Sequence, residues 1–478
     1  MRRKRKIKIL ATLGPSSNSA DTIEALFRAG ADIFRINMSH TSHAAMCELV
    51  GAIRAIETKY DRPIGILVDL QGPKLRIGRF EGNAVELEPG RSFVLDSDDR
   101  PGDMERVHLP HPEIFAVLEA GHTILLDDGR VSLKVVEVGS GRAVTEVVQG
   151  RRLSDRKGVS LPDSTLRTSA LTDKDRQDLH AALEQEVDWI ALSFIQRPDD
   201  IAEARKLVGG RAGIMAKIEK PQALQRIDEI IDLSDAIMVA RGDLGVELPL
   251  ERVPGIQKQL TRTARRAGKP VVVATQMLES MIAAPVPTRA EVSDVAIAVF
   301  EGADAVMLSA ESAAGEFPVE AVETMNRIAE AVEEDKLFTT IIHAQRTDPE
   351  STGADTIAAS ARQIADTLGL AAIVCFTSSG STGLRASRER PNVPVIALSP
   401  VRRTARRLSV VWGLHCVVTE DAHNVGEMVN RACAIAANEG FATPGQRIII
   451  TAGVPFGTSG ATNLLRIAFI APDGSSGV

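Results

Sequence analysis

The sequence predicts an α/β protein built on a (β/α)8 TIM barrel, and three observations support this fold class. Short apolar runs recur along residues 7–310, most of them end in a polar residue, and stretches of helix length separate most of them. Eight parallel strands joined by helices close into a barrel whose active site lies at the carboxyl ends of the strands. The predicted strands are Ile7–Leu10, Asp32–Ile36, Ile64–Asp69, Trp189–Ser193, Ile214–Lys217, Ala236–Ala240, Val271–Thr275 and Ala305–Ser309.

The composition is typical of a soluble globular protein. The 478 residues are 44% hydrophobic and carry a formal net charge of -7, which disfavours nucleic acid as a partner. No continuous apolar run is long enough to span a membrane, and the basic segment Met1–Arg5 is interpreted as a tail before the first strand, not a signal peptide. The four cysteines form no CxxC pair, which indicates buried thiols and a cytoplasmic protein.

The pattern of polar and apolar residues divides the chain into segments of different predicted structure. The alternation of strands and helices occupies residues 1–72 and 156–340, which are predicted to form the barrel in two parts. Residues 73–155 alternate polar and apolar positions between turn pairs, and they predict an inserted small all-β barrel domain. A module on two crossing linkers can act as a lid. Residues 350–478 predict a C-terminal α/β sandwich domain.

Lys217 and Glu219 lie at the end of the fifth predicted strand. Side chains two positions apart in a strand face the same side, so the ammonium and the carboxylate should point into one pocket. An ordinary ion pair at a strand end is the alternative interpretation.

The segment Arg241–Gly245 follows the sixth strand and brings Asp243 beside Glu219 on neighbouring strand ends. Two carboxylates suit Mg²⁺, which typically takes one or two protein carboxylates and completes its shell with substrate and water. A glycine turn with a solvated aspartate is the alternative.

The second strand ends in Arg35, which can present a guanidinium to a phosphate. Asn37 and Ser39 face the same way and, with Asp69, could bind a monovalent cation. A capped loop with a surface arginine is the alternative. After the seventh strand, Thr275 can supply a hydroxyl near a reacting carbon. The sequence has no GxxxxGK[ST] motif, which disfavours a P-loop kinase.

These strings resemble the pyruvate kinase family over nearly the whole chain. The Lys217–Glu219, Arg241–Gly245 and Ala274–Ser280 blocks, in this order, are the most specific. The other matching stretches are Lys8–Asn18, Arg35–His40, Asp69–Arg76, Lys157–Pro162, Ser193–Ile195, Pro287–Glu291 and Met307–Glu311. The resemblance implies a phosphotransferase that converts phosphoenolpyruvate and ADP into pyruvate and ATP in the last step of glycolysis.

The resemblance also implies roles for individual residues. Glu219 and Asp243 would bind Mg²⁺ or Mn²⁺, and the amides of Gly242 and Asp243 with Thr275 would bind the substrate carboxylate. Arg35 and Lys217 would bind the phosphoryl group, with Lys217 stabilising the transition state and a proton reaching the enolate from the Thr275 side. The nucleotide would contact Asn37, His40, Arg76 and Lys157.

The monovalent-cation site implied by the resemblance contains Asn37, Ser39, Asp69 and Leu70. Where many family members have Lys-Gly-Pro-Glu, this chain has Gln-Gly-Pro-Lys, so that Lys74 could supply the charge that K⁺ otherwise brings. We therefore expect K⁺ to be dispensable.

The resemblance implies that a phosphorylated allosteric effector binds in the C-terminal domain, where hydroxyls and amides at a helix start can bind phosphate. The candidate residues are Thr377, Ser378, Ser379, Gly380, Ser381 and Thr382. The loop 453–459 could cover them, and Arg385, Arg388 and Arg390 favour an anion. A plain helix cap is the alternative, and a homotetramer is expected from the family.

Two other functions remain open at this point. An aldolase-like lyase on the same barrel would use Lys217 as a Schiff-base nucleophile, which requires a lysine of low pKa. Glu219 on the same face argues against this, because it would hold Lys217 protonated. A catalytically inactive metabolite sensor is the second alternative.

Overall fold

The computed structural model describes residues 2–166, 169–346, 348–455 and 462–477. The chain enters the barrel through three parallel strands, and the side chains of Ser19 and Ser42 accept hydrogen bonds at the starts of the two intervening helices. The elements are β1 (Lys8–Leu13), α1 (Ala20–Ala29), β2 (Ile33–Asn37), α2 (His43–Tyr60) and β3 (Gly65–Asp69).

An all-β insertion follows β3. Apolar side chains alternate along its strands, and Val131, Leu133 and Val135 of one strand face its core. The elements are β4 (Ala84–Glu86), β5 (Ser92–Asp96), β6 (Arg106–His108), α3 (Pro112–Phe115), β7 (Thr123–Leu126), β8 (Val131–Gly139), β9 (Arg142–Gln149), β10 (Arg152–Ser154) and β11 (Val159–Ser160). The main sheet has the order β11-β7-β8-β9-β5-β6, and β10 pairs with β4.

The chain then returns to the barrel. A capping box between Thr172 and Asp175 begins the first helix of this part. The elements are α4 (Asp173–Glu184), β12 (Trp189–Leu192), α5 (Pro198–Val208), β13 (Gly213–Ile218), α6 (Pro221–Gln225), α7 (Ile227–Leu233), β14 (Ala236–Ala240), α8 (Arg241–Glu247), α9 (Val253–Arg266), β15 (Val271–Ala274), α10 (Arg289–Phe300), β16 (Ala305–Leu308), α11 (Ala310–Ala313), α12 (Pro318–Glu334) and α13 (Lys336–Ala344).

The strands close into a parallel barrel in the order β1-β16-β15-β14-β13-β12-β3-β2, which confirms the predicted fold class. Each predicted strand run overlaps one of these strands within the described residues. Ser193, Thr275 and Ser309 lie one residue beyond the carboxyl ends of their strands, which is the active-site end of such a barrel.

The C-terminal part is an α/β sandwich. Its sheet is buried on both faces, since Ile373 and Cys375 pack on one side and Val374 and Ile396 on the other. The elements are α14 (Gly353–Leu368), β17 (Ala372–Phe376), α15 (Ser381–Arg388), β18 (Val395–Ser399), α16 (Arg402–Arg407), β19 (Leu414–Val418), α17 (Val425–Asn438), β20 (Arg447–Gly453), β21 (Thr462–Ile470) and β22 (Ser476–Gly477). The order is β19-β18-β17-β20-β21-β22, with β21 antiparallel to β20.

The burial of the cysteines and the lack of a membrane-spanning segment are two further expectations. Cys375, Cys416 and Cys433 are buried as predicted, but Cys47 on α2 is exposed, because it lies on the face of the helix that points away from the barrel. No helix in the described part of the chain is long and apolar enough to cross a membrane. The residue boundaries of the predicted domains stay predictions.

Candidate active site

Lys217 lies at the centre of the side chains that meet at the carboxyl ends of the barrel strands. Its Nζ donates to Oγ of Ser193 at 2.7 Å and lies 2.8 Å from Oε1 of Glu219 and 3.2 Å from Oδ1 of Asp69. Burial would lower the pKa of Lys217, but the carboxylates of Asp69 and Glu219 outweigh burial, and the pKa is raised above its ordinary value. The ammonium is therefore charged and held in a defined position.

Arg35 and Asp69 form a second buried pair beside Lys217. Nε of Arg35 donates to Oδ2 of Asp69 at 2.7 Å, and its Nη1 donates to Oγ1 of Thr12 at 3.1 Å. Burial would raise the pKa of Asp69, but Lys217 and Arg35 outweigh it and lower the pKa below its usual range. Asp69 thus stays ionised and balances part of the charge of the two cations that it contacts.

The carboxylates of Glu219 and Asp243 are arranged to suit a divalent cation. Oε2 of Glu219 accepts the amide of Phe194 at 2.7 Å, while Asp243 is exposed on α8. Burial raises the pKa of Glu219, Lys217 lowers it, and the Asp243 carboxylate raises it further, with a net increase. This repulsion between two carboxylates is what a bound cation would relieve. The described residues contain no group of three or more His, Cys, Asp or Glu side chains placed to bind a metal ion.

The segment after β15 has an unusual backbone. Thr275 has φ +71° and Gln276 has φ +55°, although neither is glycine. A β-branched residue in the left-handed region is strained, and such strain is concentrated at functional sites. Oγ1 of Thr275 accepts the amide of Gly242 at 2.7 Å. Gly242 follows the sixth barrel strand and Thr275 follows the seventh. Two of the groups predicted to bind the substrate carboxylate are therefore hydrogen-bonded to each other.

A cleft lies between the barrel and the all-β insertion. Glu219, Asp243 and Phe194 line it from the barrel side, and Asp128 and Gly158 line it from the insertion. The side-chain amide of Gln222 donates to the carbonyls of Leu161, Pro162 and Ser164 and so attaches the returning linker to the barrel. The insertion therefore forms one side of the cleft, and its role as a lid stays a prediction.

The predicted nucleotide residues are spread over two sides of the cleft. Lys157 pairs with Asp127 at 2.7 Å, and Arg76 donates to the carbonyl of Arg156 at 2.9 Å. His40 is exposed in the loop after β2, and Asn37 lies at the end of that strand. The structure does not bring these four side chains into mutual contact within the described residues.

The predicted monovalent-cation residues already have internal partners. Oδ1 of Asn37 accepts the amide of Ser39 at 3.1 Å, and the carbonyl of Leu70 accepts the hydroxyl of Ser193 at 2.8 Å. Lys74 is exposed and lines the cleft; in the described chain it makes no ion pair with Asp69. The charge near Asp69 comes from Arg35 and Lys217.

The predicted effector residues form the turn that begins α15. The amide of Gly380 donates to Oγ1 of Thr377 at 3.0 Å, Ser379 donates to Ser381 at 3.1 Å, and Thr404 of α16 donates to the carbonyl of Ser378. Oγ1 of Thr382 lies 2.8 Å from Oγ1 of Thr462. The predicted cover loop 453–459 lies partly outside the described residues.

The neighbouring arginines already have carboxylate partners, and their role in anion binding stays a prediction. Arg390 is only 3% exposed and lies 3.2 Å from Asp304 of the barrel. Arg385 lies 3.3 Å from Asp355, and Arg388 lies 3.1 Å from Glu350. These carboxylates are distant in sequence, so that the sequence could not predict these ion pairs.

Sequence reasoning missed residues that organise the site. Lys220 pairs with Glu247 and lies over the ring of Phe194, and Arg241 contacts the segment after β15. Glu247 is one helical turn after Asp243 on α8, so that helical periodicity could have paired it with the metal-ligand candidate. For Arg241, its position at a strand end beside Gly242 was the available indication.

Comparison with known proteins places this geometry in a family. The family model "Pyruvate kinase, barrel domain" matches residues 4–322, and "Pyruvate kinase, alpha/beta domain" matches residues 355–468. A pyruvate kinase of Methylorubrum extorquens is 63% identical over 470 residues, with 98% of each chain covered. A pyruvate kinase of Agrobacterium vitis is 49% identical, again with 98% of each chain covered.

A solved structure agrees with these matches. The crystal structure of a pyruvate kinase from Cryptosporidium parvum superposes with a TM-score of 0.91 at 33% sequence identity. The match covers 97% of this chain and 96% of that one. The similarity therefore extends over barrel, insertion and C-terminal sandwich together.

Proposed function

The chain belongs to the pyruvate kinase family, which transfers a phosphoryl group from phosphoenolpyruvate to ADP, and we propose that Lys217 stabilises this transfer. The observation that carries the proposal is the position of Lys217. Its ammonium is buried, charged, and bonded to Ser193, Glu219 and Asp69 at the open end of the barrel. A fixed cation is what the charge on the transferring oxygens requires.

The substrate would be bound by groups on both sides of Lys217. Arg35 presents its guanidinium beside Lys217 and would bind the phosphoryl oxygens. The amides of Gly242 and Asp243 and the hydroxyl of Thr275 would bind the carboxylate, which would replace the hydrogen bond between Gly242 and Thr275.

Glu219 and Asp243 would bind a divalent cation, Mg²⁺ or Mn²⁺. Such an ion neutralises charge on substrate oxygens while the phosphoryl group moves. Lys220 and Glu247 connect the segments that carry the two carboxylates and would keep them at a constant separation. Phe194 would orient the Glu219 carboxylate through its amide.

After transfer, the enolate carbon takes a proton and becomes the methyl group of pyruvate. Thr275 lies just beyond β15, where its Oγ1 accepts the amide of Gly242, and we assign the proton to its side, from the hydroxyl or from water bound there. The strained backbone of Thr275 supports this assignment, since strain of this kind is retained where the position of a side chain matters.

ADP would bind between the barrel and the insertion. Asn37, His40, Arg76 and Lys157 are its proposed contacts, and the insertion would exclude water that otherwise competes as phosphoryl acceptor. Asn37, Ser39, Asp69 and Leu70 are the proposed monovalent-cation residues. The position of Lys74 in the same cleft supports the proposal that K⁺ is dispensable.

We also propose a regulatory site and an oligomeric state. Residues Thr377–Thr382 would bind a phosphorylated effector, supported by their hydroxyls and the start of α15. The helix-cap alternative is supported by the hydrogen bond from Gly380 to Thr377. A cytoplasmic homotetramer remains the expectation from the family.

The lyase alternative is disfavoured by the electrostatics of Lys217. A Schiff-base lysine needs a lowered pKa, whereas the pKa of Lys217 is raised. Incubation with pyruvate and borohydride should therefore leave the protein unmodified. A covalent pyruvyl adduct at Lys217 would contradict the assignment.

The deciding experiment is an assay with phosphoenolpyruvate, ADP and Mg²⁺ coupled to lactate dehydrogenase. We expect Lys217→Met to lower kcat by about 10²- to 10³-fold, the effect of removing a group that stabilises transition-state charge. The control is Lys258→Met, which removes a half-exposed lysine 3.9 Å from Glu301. A Lys217→Met protein with unchanged kcat, or a wild-type protein without turnover, would sink the proposal.

A further inference from the structure

The left-handed pair Thr275–Gln276 must be stabilised by its surroundings, since neither residue favours this backbone conformation. Neither β15, which ends at Ala274, nor the short 3-10 turn Glu279–Ile282 includes these residues. Their carbonyl oxygens therefore need hydrogen-bond donors from elsewhere.

Arg241 supplies these donors. Its Nη2 donates to the carbonyl of Thr275 at 2.7 Å and to that of Gln276 at 3.3 Å, and its Nε donates to the carbonyl of Ala274 at 3.4 Å. One planar guanidinium thus contacts the carbonyls of successive residues through the turn. A lysine has no donors in this fixed arrangement.

The guanidinium is itself held in place from the opposite side. Nη1 of Arg241 lies 2.6 Å from Oδ1 of Asp294 on α10 and 3.4 Å from Oε1 of Gln257 on α9. The side chain of Arg241 is only 10% exposed. It therefore has a defined position.

Arg241 also adjoins Gly242, whose amide donates to Oγ1 of Thr275 at 2.7 Å. Consecutive residues of α8 thus bind the backbone and the hydroxyl of the same threonine. We propose that Arg241 is a positioning residue that sets the orientation of the Thr275 hydroxyl during turnover. This inference rests on the role of Thr275 given under Proposed function.

The test compares Arg241→Met, Arg241→Lys and Asp294→Asn in the full-length enzyme. Because misplacing a reacting group by an ångström lowers rates by up to about 10²-fold, we expect Arg241→Met to lower kcat by about 10- to 100-fold. The KM for ADP should change by less than about twofold, since Arg241 is assigned no contact with the nucleotide. Arg241→Lys should recover part of the loss.

A second readout reports on the threonine directly. Exchange of the pyruvate methyl protons with deuterated solvent, followed by NMR, measures proton transfer at the carbon without phosphoryl transfer to ADP. We expect this exchange to fall in proportion to kcat in Arg241→Met. If Arg241 only stabilised the fold, the correctly folded fraction of the Arg241→Met protein would show the wild-type kcat and the wild-type exchange rate.

The matched control is Arg205→Met. Arg205 also donates to a backbone carbonyl, that of Leu233 at 2.9 Å, and lies 3.2 Å from Asp235, but it lies at the opposite end of the barrel. We expect unchanged kcat for this variant. An equal loss in Arg205→Met would show that arginine–carbonyl contacts matter only for general integrity, and would overturn the inference.

The double variant Arg241→Met/Thr275→Ala separates the possible outcomes. If Arg241 acts through Thr275, the double variant should be no slower than Thr275→Ala alone, whereas independent effects would multiply. If the effects of the two substitutions multiply, the positioning role of Arg241 is refuted while the assignment of Thr275 stands. The same holds if Arg241→Met has the wild-type kcat and Thr275→Ala is impaired. Wild-type kcat in Thr275→Ala would refute the threonine assignment and the inference with it. If Arg241→Met does not fold, Asp294→Asn decides by the same comparison.

Discussion

The hydroxyl of Ser193 lies 2.7 Å from Nζ of Lys217 and 2.8 Å from the carbonyl oxygen of Leu70. It therefore accepts a hydrogen bond from the ammonium and donates one to the backbone after β3. Ser193 is 4% exposed, so that water does not readily replace it. This serine connects three strand ends through a single oxygen atom.

Ser193→Ala should lower kcat, because Lys217 would lose a neutral partner that fixes its direction. A hydrogen bond to a charged group contributes about 1.5–3 kcal/mol, so we expect a reduction of roughly 10- to 100-fold. Steady-state kinetics with the coupled assay measures the change. The control Ser234→Ala removes another buried hydroxyl, bonded to the carbonyl of Ile230 at 2.7 Å, far from the cleft. Equal activities of the two variants would contradict the role of Ser193.

The wild-type enzyme should retain most of its turnover in buffer free of sodium and potassium. Lys74 lines the cleft and would supply the positive charge that K⁺ otherwise brings, so that a bound K⁺ would add little. Lys74→Glu should make turnover depend on K⁺, measured by titrating KCl into tetramethylammonium buffer. Lys134→Glu, at an exposed position of the insertion, is the control. Loss of most wild-type turnover without K⁺ would refute the prediction.

Gln222→Leu should weaken the attachment of the insertion to the barrel. The Gln222 amide donates to the carbonyls of Leu161, Pro162 and Ser164, and each such bond contributes about 1 kcal/mol. We expect the KM for ADP to rise by roughly 3- to 10-fold, with a smaller change in the KM for phosphoenolpyruvate. Gln225→Leu, exposed on the same helix α6, is the matched control. A rise confined to phosphoenolpyruvate would contradict the assigned location of the nucleotide.

The free energy of unfolding should fall as the pH is lowered from 6.5 to 4, because His415 is buried. Burial lowers the pKa of His415 from 6.5 to about 4, against the raising effect of its hydrogen bond to Glu439. Since the unfolded chain binds this proton at higher pH than the folded chain, acid favours unfolding by at most about 1.4 kcal/mol per pH unit. Urea unfolding at pH 7 and pH 4.5 measures the loss. His415→Gln should reduce the difference between the two pH values, and an unchanged difference would contradict the prediction.

The sequence predicted the barrel because strand periodicity is local. The apolar runs are buried strands, and Lys217 and Glu219 face one pocket since side chains two apart in a strand share a side. For the segment Arg241–Gly245, the alternative interpretation as a glycine turn is wrong. The segment begins the helix α8, which packs on β15 and α9 despite the low helix propensity of glycine.

The sequence by itself thus determined the order of the barrel strands, the all-β insertion, the α/β sandwich and the set of charged residues at the strand ends. Only the tertiary structure decided which partners those residues take. Arg390 binds Asp304, Lys74 lies in the open cleft, and Arg241 contacts the carbonyls around Thr275. The reason is physical: strand and helix periods depend on neighbours along the chain, whereas an ion pair or a carbonyl contact depends on how distant segments pack.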